Sequence, residues 1–175
     1  LKKAALFAVD TETTDLNVMN AEIVGISFSV QAGEAAYVPV AHRYPGAPDQ
    51  LDRDHVLKKL KALLEDAHPR KLGQNLKYDL NVFANHGIAL HGIAHDTMLE
   101  SYVLDATATR HDMDSLALKF LGHKTIAYEE VTGKGKNQIN FSEVGIDEAA
   151  QYAAEDAAIT LRLHEALWPR LSEQP

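Results

Sequence analysis

The sequence has 175 residues, of which 46% are hydrophobic and 24% charged, which is typical of one globular domain and excludes a disordered or fibrous protein. It contains no cysteine, which excludes disulfide scaffolds and thiolate metal sites, and its apolar runs are shorter than the roughly 20 residues that span a bilayer. The formal net charge of −8 argues against a broad positive surface for nucleic acid, so a bound phosphate backbone would need local basic groups or metal ions.

The first part of the chain has the composition of β-strands joined by short polar connections, which predicts antiparallel neighbours. These strands are predicted over residues 6–9, 22–30 and 35–40. The pattern then changes to alternating helices and strands. In chain order we predict a helix (53–66), a strand (70–73), a helix (76–85) and a strand (93–95) leading into a helix capped by Asp96 or Thr97.

The last third of the sequence contains a polar segment between two helical patterns. A short helix is predicted from Asp114 to Gly122, and a long helix over 147–168 that Pro169 ends. Within the polar segment 125–140, the string GKGKNQ (133–138) is predicted to be an exposed loop. Antiparallel strands followed by α-β units that extend the same sheet predict a mixed α/β sandwich. We expect residues 1–175 to form a single domain.

Two carboxylates follow the first apolar strand in the string AVDTET. Because residues two apart in a strand face the same side, Asp10 and Glu12 are expected to project together. A D-x-E pattern by itself is also common in turns and on exposed surfaces.

Two of the predicted helices carry a carboxylate beside a buried face. Asp79 lies at the edge of an apolar stripe, and Asp156 takes a position where leucine is expected, one turn after Tyr152. The stripe beside Asp79 comprises Leu76, Leu80 and Phe83. Burying an ionised carboxylate is costly unless it is paired or bound to metal, so each acid needs a cap, a salt bridge or a cation.

The four acids can converge on one cluster in this architecture. Hard divalent cations relieve the repulsion between carboxylates, and ligation by oxygen alone favours Mg²⁺ or Mn²⁺. Two such ions about 4 Å apart can activate water and stabilise the leaving oxygen of a phosphodiester.

The order of these residues resembles the tyrosine branch of the DEDD exonuclease superfamily. Longer strings are similar to the proofreading 3′–5′ exonuclease domains of bacterial DNA polymerase I, family A, over nearly the whole chain. The strings are GQNLKYD, HDTMLESYVLD, RHDMDSLALKFLGHKTI, GKGKNQ and YAAEDA. The resemblance implies a ribonuclease H-like mixed β-sheet and release of nucleoside 5′-monophosphates from DNA 3′ ends.

The resemblance also implies a role for each acid. Asp10, Glu12 and Asp156 would hold the tighter of two divalent ions, Mg²⁺ with Mn²⁺ as a substitute. Asp10 would bridge to the second ion, which Asp79 would support partly through water. Tyr152 and Glu12 would orient the attacking water.

Further substrate contacts are implied by the same resemblance. Leu16 would wedge near the terminal base. The path of the single strand would be lined by Gln74, Asn75, Lys77, Arg110 and Tyr128. For Leu16 and Tyr128 ordinary packing remains an equal alternative.

The implied partners are a single-stranded DNA 3′ end and a polymerase domain of the same parent chain. Because the sequence lacks an initiator methionine, we expect an excised domain, monomeric and from the bacterial cytoplasm, where the nucleoid lies. The open alternatives are an RNA-trimming exonuclease of the ribonuclease D type, an idle scaffold beside a polymerase, and a Mg²⁺-binding regulatory module. Four histidines match no metal-ligand spacing and are expected to be structural or on the surface; they are His42, His95, His123 and His164.

Overall fold

The computed structural model describes residues 1–107 and 110–173. The strands are β1 (Leu6–Thr13), β2 (Ile23–Gln31), β3 (Glu34–Pro39), β4 (Arg70–Gly73) and β5 (Ile93–Asp96). They form one sheet of five strands in the order β3-β2-β1-β4-β5. The first three strands are antiparallel, whereas β4 is parallel to both β1 and β5. The predicted mixed sheet is therefore confirmed.

Helices cover both faces of this sheet. They are α1 (Arg53–Leu64), α2 (Leu76–Asn85), α3 (Thr97–Leu104), α4 (Met113–Leu116), α5 (Tyr128–Thr132) and α6 (Ile146–Ser172). A π-helical turn, Ala117–Leu121, extends α4, and 3₁₀ turns cover Gly135–Asn137 and Phe141–Glu143. Within residues 1–107 and 110–173, every helix is too short or too polar to cross a membrane.

Alternation along β1 decides which side chains face which helices. Phe7 and Val9 belong to the main core with α1 and α2, whereas Ala8 packs against Leu72 and Leu161 of α6. Even-numbered residues of β1 therefore face α6, and odd-numbered ones face α2.

The first strand is longer than its apolar segment. β1 continues to Thr13, so Asp10 and Glu12 lie inside the strand and pair with Ser27 and Gly25 of β2. Because backbone pairing to β2 holds this part of the strand, it needs no apolar side chains to stay extended.

The loop expected at GKGKNQ is exposed over residues 134–138 and contains only a 3₁₀ turn. The helix α5 precedes it, where the ring of Tyr128 stacks on Phe141 with centroids 6.1 Å apart. Two other local expectations differ from the structure. Helix α6 continues past Pro169, where the missing N–H bond falls on an exposed last turn. Leu80 is exposed, since Val82 rather than Leu80 completes the buried face of α2. Asp96 caps α3 as expected.

Candidate active site

Three of the expected carboxylates meet between β1 and α6. Oxygen atoms of Asp10, Glu12 and Asp156 all lie within 4.8 Å of one another. The two strand residues face α6 because both positions are even-numbered, and Asp156 projects towards them. Ala153 and Ala157 flank it on the buried face of α6, and their small side chains permit close packing on the sheet.

Asp79 approaches the same strand from the α2 side. Thr11 donates two hydrogen bonds to its Oδ1, from the backbone N at 3.0 Å and from Oγ1 at 2.5 Å. The backbone donor is available because β4 pairs with β1 only as far as Ala8. Asp79 lies outside the tight group of three, yet its charge helps to raise the pKa of Asp10 and Glu12.

The environment disfavours ionisation of all four acids. Burial raises the pKa of Asp10 and of Glu12 well above the ordinary range, and the neighbouring carboxylates raise both further. Burial likewise raises the pKa of Asp79 to about 7 and that of Asp156 to about 8. A divalent cation with oxygen ligands balances the negative charge of several ionised carboxylates. The four acids therefore form a donor set that fits Mg²⁺ or Mn²⁺.

Tyr152 lies one turn before Asp156 on the same helix, and both side chains line the cleft described below. Burial, followed by the charge of Asp156, raises the pKa of Tyr152 far above its ordinary value. The hydroxyl therefore stays protonated and can act as a donor, but not as a base. Tyr152 also contacts Phe141 and Tyr128, with ring centroids 5.8 and 6.1 Å away.

A tyrosine from β3 packs at the position in β2 that pairs with Glu12. The ring of Tyr37 occupies the space over Gly25, the partner of Glu12 in β2, and a Cβ there would lie 2.1 Å from the Tyr37 oxygen. That hydroxyl is hydrogen bonded to Nε2 of His42 at 2.7 Å. The glycine therefore lets a fixed aromatic side chain pack beside the acids.

An open cleft of about 530 Å³ lies above the acids. Its lining is acidic, hydroxyl-bearing and aromatic; it comprises Asp10, Thr11, Glu12, Thr13, Thr14, Asp15, Leu16, Tyr78, Tyr128, Gln138, Ile139, Asn140, Tyr152 and Asp156. Leu16 is 93% exposed and Tyr128 is 40% exposed. The structure therefore places two of the expected substrate contacts at the mouth of this cleft.

The other expected contacts are not part of the cleft lining. They are Gln74, Asn75, Lys77 and Arg110. Gln74 is half-buried, accepts from the Thr97 hydroxyl and donates to the carbonyl of His111 at 2.9 Å. The remaining three side chains are exposed, and Arg110 forms an ion pair of 3.4 Å with Asp112.

Sequence reasoning missed the residues that fix the loop after β1. The Tyr78 hydroxyl donates to the carbonyl of Asp15 at 2.5 Å, and Asn140 donates to the carbonyl of Thr14 at 2.6 Å. Thr11 lies between Asp10 and Glu12, and Tyr78 directly precedes Asp79. This adjacency to the acids was the signal in the sequence that could have identified both residues. The contact of Asn140 joins residues 126 positions apart and has no local signature.

The sheet order and the carboxylate cluster define an α/β domain of the ribonuclease H-like class. The sequence matches the family described as "3′-5′ exonuclease" over residues 1–172, and the chain belongs to this family. It is 60% identical to DNA polymerase I of Pseudomonas aeruginosa, over 100% of this chain and 19% of that protein. The chain thus spans about a fifth of the length of the curated relatives it matches.

Solved structures share the fold at low sequence identity. The polymerase Pol1 of M. smegmatis, determined with DNA primer-template and dNTP, has a TM-score of 0.72 and 19% identity, covering 98% of this chain and 25% of that one. RNase D of Escherichia coli, an exoribonuclease, has a TM-score of 0.65 and 17% identity, covering 98% and 40%. Both likenesses concern the fold.

Proposed function

We propose that the chain is a metal-dependent 3′–5′ exodeoxyribonuclease. It removes nucleoside 5′-monophosphates from single-stranded or frayed DNA 3′ ends, as the proofreading part of a longer polymerase chain in the bacterial cytoplasm. The observation that carries this proposal is the convergence of Asp10, Glu12 and Asp156 at the floor of an open cleft. The family match supports the direction of cleavage.

Four carboxylates would hold two divalent ions, with Mg²⁺ as the default and Mn²⁺ as a substitute. Asp10, Glu12 and Asp156 would ligate the tighter ion. Asp10 would also reach the second, which Asp79 would support partly through water. When bound, such ions lower the pKa of a bound water and stabilise the attacking and leaving oxygens of the phosphodiester.

The chain's own side chains would orient the attacking water. The raised pKa of Tyr152 keeps its hydroxyl protonated, so it donates a hydrogen bond to the water. Glu12 accepts a hydrogen bond from the same water. Neither residue needs to act as a strong base.

The DNA strand would enter along the apolar and aromatic wall of the cleft. Leu16 would wedge against the terminal base, and Tyr128 would stack on a base, a contact worth about 1–3 kcal/mol. Outside the cleft, the exposed Lys77 and Arg110 would neutralise phosphates, with Asn75 beside them. Gln74, which hydrogen bonds to Thr97 and His111, would lie beside this path.

RNA is the second candidate substrate, since RNase D has the same fold. The identity of 60% to a DNA polymerase I, against 17% to RNase D, favours DNA. An idle scaffold is disfavoured, because four buried acids are costly to keep without cations.

Digestion of 5′-labelled single-stranded DNA tests the proposal. With Mg²⁺ or Mn²⁺ we expect a ladder shortening from the 3′ end, with 5′-mononucleotides as products and slower digestion of RNA of the same sequence. Asp156→Asn should abolish it, whereas Glu165→Gln, at an exposed position of α6, should not. Internal cleavage, faster digestion of RNA, or metal binding without cleavage would each contradict the proposal.

A further inference from the structure

A second group of metal-ligand side chains lies at the β5 edge of the sheet. His95 of β5, Glu100 of α3 and His164 of α6 offer ligand atoms that all lie within 4.8 Å of one another. His164 follows Asp156 by roughly 12 Å along α6, so the group is separate from the cleft. We propose that these three residues bind a divalent transition-metal ion of the zinc class.

The carboxylate of Glu100 lies between the two imidazoles. Its Oε1 is 3.0 Å from Nδ1 of His95 and 2.8 Å from Nδ1 of His164. Ligand atoms about 2.0–2.1 Å from a tetrahedral ion are about 3.3 Å apart. Both nitrogen–oxygen distances are within about half an ångström of that spacing, so the three side chains are gathered closely enough to share one ion.

A buried oxygen supports this assignment independently. The side chain of Glu100 is 5% exposed, and its Oε2 has no hydrogen-bond partner within residues 1–107 and 110–173. A buried carboxylate with one unpaired oxygen is costly. A cation in contact with the carboxylate offsets that cost.

The surroundings provide an entry path and fix the ligands. His95 and Glu100 line a cleft of about 490 Å³, through which water can supply a fourth ligand. The rings of His95 and His164 have centroids 4.1 Å apart, and the Trp168 ring lies 4.4 Å from that of His95. Packed rings lose little freedom when they coordinate an ion.

The donor set distinguishes this site from the acidic cluster. Two imidazoles and one carboxylate suit Zn²⁺, Co²⁺ or Ni²⁺, whereas Mg²⁺ prefers ligation by oxygen alone. An ion here would connect β5, α3 and the C-terminal half of α6. Its role is therefore structural, and it stabilises the folded chain.

Cobalt titration of the metal-free 175-residue chain tests the site. The chain carries Asp156→Asn, which weakens ion binding at the acidic cluster. We expect one equivalent of Co²⁺ to produce the visible absorption of a tetrahedral complex, to be displaced by Zn²⁺ and to resist excess Mg²⁺. Adding His164→Gln or Glu100→Gln should weaken binding about 100-fold, whereas the exposed His55→Gln should change nothing.

Two results would overturn the site. One is a tetrahedral signal that the native chain gives and the Asp156→Asn chain does not give. That result would assign the ion to the acidic cluster. The other is binding that His164→Gln does not alter, or no tetrahedral signal in any chain, which would leave a hydrogen-bonded triad only. If circular dichroism shows that His164→Gln does not fold, His95→Phe decides, because it keeps the ring beside Trp168 and removes the ligand.

Discussion

Replacing Asp156 by asparagine should stabilise the metal-free domain. Burial raises the pKa of Asp156 from its ordinary 3.8 to about 8, and one pKa unit corresponds to about 1.36 kcal/mol. The upper bound is therefore about 6 kcal/mol. Because the side chain is partly exposed at the cleft, solvent screening reduces this figure, and we expect a gain of about 1–2 kcal/mol in the free energy of unfolding.

The stabilisation of the metal-free domain by Asp156→Asn should depend on pH. A carboxyl group whose folded-state pKa is raised is protonated in both states below about pH 4 and imposes no penalty there. The penalty on the native chain grows as the pH rises to about 8 and is constant above it. Urea unfolding in EDTA should therefore show almost no difference between Asp156→Asn and the native chain near pH 4, and the full difference at pH 8.

A control at an exposed position of the same helix isolates the effect. Glu165→Gln removes one negative charge from α6 without removing a buried carboxylate, so its stability should follow that of the native chain at each pH. The reasoning would be refuted if the Asp156→Asn chain were less stable than the native chain at pH 8. It would also be refuted if the stability difference between the two chains were the same at pH 4 and pH 8. With Mn²⁺ at 100 times its Kd the native chain should gain about 2.7 kcal/mol, and the ranking should reverse.

Three further substitutions probe the surroundings of the acids. Gly25→Ala forces a Cβ against the Tyr37 ring and should lower the free energy of unfolding by about 1–3 kcal/mol, measured by urea unfolding; an unchanged midpoint would contradict that contact. Thr11→Val removes a donor from Asp79, so digestion should require more Mg²⁺, whereas Thr11→Ser should behave as the native chain. Tyr128→Ala should raise the KM for single-stranded DNA about tenfold with little change in kcat, and Tyr128→Phe should not.

Periodicity was sufficient to predict the side of its own element on which each acid lies. A strand repeats every two residues and a helix about every 3.6, so the positions of Asp10, Glu12 and Asp156 within their elements largely set the directions of their side chains. The mixed sheet was predictable for the same reason, since short connections and β-α alternation restrict the topology.

Other features depend on contacts between distant parts of the chain. Thr11 can donate its backbone N–H to Asp79 because the pairing of β4 with β1 ends at Ala8. Where the pairing of two strands ends is not encoded in the sequence near that point. Helix α5 depends on the packing of Tyr128 against Phe141. The pairing of Glu100 with His164 joins residues 64 positions apart, so the spacing of histidines in the sequence did not reveal it.

The most direct test is crystallographic location of Mn²⁺ by anomalous scattering, in the native chain soaked with Mn²⁺ and a nucleoside 5′-monophosphate. We expect two peaks at the floor of the cleft, one among Asp10, Glu12 and Asp156 and the other between Asp10 and Asp79. Absence of manganese from the cluster, or a single ion under conditions in which the same chain digests DNA, would contradict the two-ion account.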